Sequence, residues 1–144
     1  MNIFEESKKQ LSGEDKREIK AIFDSLRSNK SANQLKASIG LIKGKLERLE
    51  RSDDRYQSAL VAITKAVTSE IFYTKKSVSF KAKHAAMIAI AYLCDPNDII
   101  PDADPSRGYI DDVYMFHLAL TELKKSSPEI YKSIMQTYLL GLNE

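Results

Sequence analysis

A single cysteine, Cys94, in 144 residues excludes an internal disulfide and any zinc site built from several thiolates of one chain, which suits a reducing compartment. Five glycines and four prolines are too few for a collagen-like or low-complexity chain, and 43% hydrophobic with 29% charged residues is a globular composition. Long apolar runs are missing too. The longest, residues 85–94, is about half of the roughly 20 residues a membrane span needs, with Lys81 and Lys83 before it and Asp95 after it. The opening MNIFEESKKQ has acids and lysines where a signal peptide carries its apolar stretch, so a cytoplasmic location is expected. No alternation of polar and apolar residues between turn signals predicts a strand, and no repeat divides the chain. A chain this long can bury roughly two-thirds of its unfolded surface, so one domain over 1–144 is expected, with residues 1–11 open to looser order.

What is present is helical periodicity. Ile19, Ile22, Phe23 and Leu26 share one face of a helix over 12–27, with Ser12 as its N-cap. Ser31 and Gln34 form a capping-box pattern for a second helix through Leu35, Ile39, Ile42, Leu46 and Leu49. Gly40 and Gly44 interrupt it at a cost of roughly 1 kcal/mol each, which predicts a bend or a close crossing. Ser52, Asp53 and Asp54 cap a third helix that aligns Tyr56, Leu60, Ile63, Val67 and Ile71. The fourth, 78–94, is apolar nearly all round in its second half, which predicts a central position. A fifth over 110–125 turns Val113, Phe116, His117, Leu120 and Leu123 inward, and Ser127-Pro128 opens a sixth that Gly141 ends. The fold class expected is therefore all-α, a compact bundle of about six helices.

Charge is uneven: residues 1–83 hold 18 Lys and Arg against 11 acids, and 84–144 hold 4 against 9. Two such halves attract each other within one fold, and spread charges of this kind form a solvated face. Between the fourth and fifth helices, residues 92–112 pack six Asp and three Pro into YLCDPNDIIPDADPSRGYIDD. Pro96 and Pro101 turn the preceding residues away from helix, Asp98 closes an Asx turn, and Gly108 supplies a backbone conformation other residues avoid. Asp111 and Asp112 fall where a helix N-terminus offers N–H groups and positive dipole. A rigid corner results, with Asp102 bracing it from the other side.

Pro96, Asp98, Ile100, Pro101, Asp102, Pro105, Gly108, Tyr109, Asp111 and Asp112 follow one another without a gap in a pattern that resembles the YkvA-like family of unknown function, Tyr92 standing at its preceding aromatic. The resemblance covers about residues 78–123. Ala103, Asp104, Ser106 and Arg107 depart from it, standing where relatives commonly carry apolar residues. It brings no settled activity; what it implies is peripheral membrane association.

Several functions compete for this corner. Pro96, Asp98, Pro101, Asp102, Asp104, Gly108, Tyr109, Asp111 and Asp112 form a candidate binding surface, and Asp98, Asp102, Asp104, Asp111 and Asp112 are the oxygen ligands Mg²⁺ or Ca²⁺ would take. An EF-hand is excluded by Arg107 in place of its Gly and Val113 in place of its Glu. No phosphate-cradling loop, G-x-S-x-G or H-E-x-x-H is present, and His84 and His117 lie on apolar faces as core histidines do, so neither catalytic residues nor a cofactor are expected. The reading that remains is a non-catalytic protein-interaction module, of the kind immunity proteins and antitoxins represent, contacting its partner through the acidic corner or a neighbouring groove. Hard-metal-dependent activity at the Asp cluster is an alternative. Nucleic-acid binding through Lys36, Lys43, Lys45, Arg48, Arg51 and Arg55 is opposed by interspersed acids and the lack of a stacking set.

Overall fold

The computed structural model describes residues 2–52, 54–72, 78–94 and 109–142. Eight α-helices and no strand are found among them: α1 (Ile3–Gln10), α2 (Gly13–Asn29), α3 (Ala32–Ile39), α4 (Ile42–Leu49), α5 (Arg55–Val67), α6 (Phe80–Cys94), α7 (Ile110–Ser126) and α8 (Pro128–Leu142). The all-α class is as the periodicity predicts, but the number of helices is larger than six. None of these helices is long and apolar enough to cross a membrane.

Local chemistry sets the helix starts. Ser12 Oγ accepts from the Asp15 N–H at 3.1 Å, and Asp54 accepts from the Gln57 N–H at 3.0 Å. Ser31 and Gln34 close the expected capping box in both directions, at 2.8 and 3.3 Å. Pro128 takes the first position of α8, where its missing N–H costs nothing. Asp53 lies outside the described residues.

Two additional helices account for the larger number. Residues 3–10 are helical, with Asn2 as N-cap and Ile3, Phe4 and Ser7 buried. The segment expected as one helix breaks at Gly40 and Leu41 into α3 and α4. Gly44 lies inside α4 with open space where a Cβ would stand, so it marks no close crossing. Gly141 does not end α8; it is a helical residue near Ala62 of α5.

α6 occupies the centre, as its apolar circumference requires. Ala82 and every residue from His84 to Leu93 are buried, against α7, α3, α2 and α4. Five of these are alanines, whose small side chains let neighbouring helices approach closely. Each fully buried Ile or Leu stabilises the fold by roughly 1.5–3 kcal/mol. α5 packs on α8, and α1 closes the bundle over α7, its Phe4 ring 5.3 Å from that of Tyr138. Past Val67, α5 widens into a π-helical turn, Thr68–Phe72.

Candidate functional site

The motif spans the end of α6 and the start of α7, and the described residues hold both of its edges. Pro96, Asp98, Ile100, Pro101, Asp102, Asp104, Pro105 and Gly108 lie outside the described residues, so the expected loop ligands cannot be placed. Tyr92, Tyr109, Asp111 and Asp112 can. Tyr92, on the last turn of α6, donates its hydroxyl proton to Asp111 Oδ2 at 2.7 Å. Asp111 and Asp112 are both 0% exposed. They occupy the first turn of α7, where free N–H groups and the helix dipole stabilise negative charge.

Their burial decides what they can do chemically. A carboxylate withdrawn from water is costly unless hydrogen bonds replace its hydration, and the Tyr92 hydroxyl supplies one such bond. Through this bond Asp111 ties α7 to α6. Among the described residues, no three His, Cys, Asp or Glu side chains gather as metal ligands would.

Tyr109 precedes α7 with φ 77° and ψ −3°, a left-handed conformation that costs a bulky residue about 1–3 kcal/mol. Its carbonyl accepts the Val113 N–H at 3.0 Å, and the Lys45 ammonium of α4 lies 5.2 Å from its ring centroid. Cys94, at the end of α6, also feels α4. Burial pushes its thiol up from the ordinary 9.0, against the lowering pull of Lys45 and Arg48. Positive charge is therefore present around Cys94, which its neighbour Asp95 does not suggest, yet desolvation outweighs it and the thiol stays protonated at neutral pH.

Both histidines serve the core. His84 is buried and donates from Nε2 to the Lys30 carbonyl at 2.8 Å, tying α6 to the end of α2. His117 is half-buried and stacks on Tyr114; burial lowers its pKa, with Lys8 acting in the same direction and Glu5 opposing.

A second feature has no counterpart in the sequence motifs. The turn between α3 and α4, the π-helical turn and α6 enclose a groove of about 660 Å³, within the range of ligand-sized clefts. Ile39, Ile42, Phe72 and Met87 give it an apolar lining, and Lys36 of α3 and Lys83 of α6 also line it. Neither lysine is ion-paired among the described residues. Leu41, in the same turn, is 67% exposed, and Phe80, one turn before Lys83, is 68% exposed. The only sequence signal for this groove was Gly40, which marked the break but not what the break exposes.

Comparison with curated proteins and with solved structures found no match. Residues 82–118, which take in Tyr92, Tyr109, Asp111 and Asp112, match the model of the family described as protein of unknown function DUF1232, consistent with a YkvA-like domain of unknown function.

Proposed function

We propose that this helical protein is a non-catalytic interaction module that binds a protein partner through the groove between the α3–α4 turn, the π-helical turn and α6. The observation that carries this reading is the combination of an apolar groove with two large, exposed apolar side chains on the segments that form it, Leu41 in the α3–α4 turn and Phe80 at the start of α6. Large apolar side chains left exposed around an apolar groove are the usual mark of a binding site. The π-helical turn supports the same reading, because such turns concentrate at functional sites and this one contributes Thr68 and Phe72 to the groove. Asp111 has a separate role in this reading, tying α7 to α6 through Tyr92.

Site-specific photo-crosslinking in the native host tests the reading. A benzophenone side chain at Leu41 or Phe80 is expected to trap one discrete protein adduct, and the same group at exposed Arg17 on α2 is expected to trap none. Equal labelling at all three positions, or none at Leu41 and Phe80, would remove the groove as the contact surface.

A further inference from the structure

We infer that the groove's occupant is an acidic amphipathic helix of the partner protein, an inference that rests on the groove being the contact surface. Charge is the first argument. Lys36 of α3 and Lys83 of α6 are the charged residues that line the groove, and no acid is among its lining residues. Glu70, the acid of the π-helical turn, accepts a hydrogen bond from the Thr137 hydroxyl of α8 at 3.2 Å, which turns it toward α8.

Shape is the second argument. The apolar residues lie in a concavity, so they are reached by side chains that project into it, as the i, i+3, i+4 and i+7 anchors of a helix do. Lys36 and Lys83 line the groove together with its apolar residues, so acids on the polar flanks of a helix laid along it complement them.

Fluorescence anisotropy on the full chain tests this. Two labelled peptides of about 18 residues share a leucine stripe at helical spacing, one with Glu and the other with Lys at the remaining positions. The Glu peptide is expected to bind at least about tenfold more tightly, to lose at least about tenfold in the K36E/K83E double variant, and to weaken with salt. Both lysines are exposed, so the double variant keeps its fold, and K132E on α8 serves as a control that leaves affinity unchanged. Peptides that bind alike, or a K36E/K83E chain that holds the Glu peptide as tightly as the parent, would overturn the acidic helix. The groove itself would still stand if Leu41→Glu abolished that binding. Binding to phosphatidylglycerol vesicles with no binding of the Glu peptide makes the occupant a membrane and also overturns the inference.

Discussion

The Tyr92 hydroxyl on α6 donates to Oδ2 of Asp111 on α7 across 2.7 Å, and the two residues are 4% and 0% exposed. A bond enclosed to this degree ties together the two helices that make up the middle of the bundle. Tyr92→Phe removes the donor and leaves a buried carboxylate one hydrogen bond poorer, a loss of about 1–3 kcal/mol. The urea midpoint is expected to fall with an unchanged slope. A midpoint equal to the parent's would show that the bond does not hold the corner.

At the other end of the chain, α1 is a working part of the core. Phe4 is 3% exposed against Tyr138, and the Arg55 guanidinium of α5 grips the Glu6 carboxylate of α1 with two bonds, at 2.8 and 2.5 Å. The ion pair is partly exposed and contributes little beside the ring. Phe4→Ala is therefore expected to cost about 3–5 kcal/mol and Glu6→Gln less than about 1 kcal/mol, both read by thermal unfolding. Equal effects of the two would mean that the helix is held by charge.

The contrast between α1 and α6 shows where the sequence is legible. α6 announces itself because an unbroken apolar run has one stable place, the centre, and the Ser12, Ser31 and Asp54 caps are local chemistry that needs no tertiary context. α1 is short and rich in charge, and its helix is stabilised mainly by docking Ile3 and Phe4, which a linear pattern does not reveal. The candidate site divides in the same way. Asp111 and Asp112 are recognisable as helix-start acids, but their complete burial depends on the enclosure formed around Tyr92. The groove is invisible in sequence because Lys36, Ile42, Phe72 and Met87 come from four separate segments.

Alkaline titration reports on the α1–α5–α8 side of the core. Burial pushes the Tyr138 phenol from its ordinary 10.0 up to about 12. The folded chain then holds a proton that the unfolded chain releases, so this contribution is fully present below pH 10 and is lost as pH rises from 10 toward 12. Up to about 3 kcal/mol disappears across that window. Tyr138→Phe, which has no proton to release, is expected to flatten the fall in urea midpoint between those pH values; a parallel decline in both proteins would place the titrating group elsewhere.

Cys94 offers the sharpest probe of how α4 meets the motif corner. Alkylation requires the thiolate, and burial keeps the thiol above its ordinary 9.0 while Lys45 and Arg48 pull the other way. Iodoacetamide is therefore expected to react more slowly than with a free thiol at pH 8, and to accelerate as pH climbs past 9. Lys45→Gln removes one of the two opposing charges, so its alkylation profile moves to still higher pH. That variant also takes the cation from above the Tyr109 ring, a contact of about 0.5–1 kcal/mol, and a modest fall in stability accompanies the shift. If Lys45→Gln instead speeds alkylation at every pH, its effect is to open access to the thiol, and packing rather than charge is what α4 contributes at this corner.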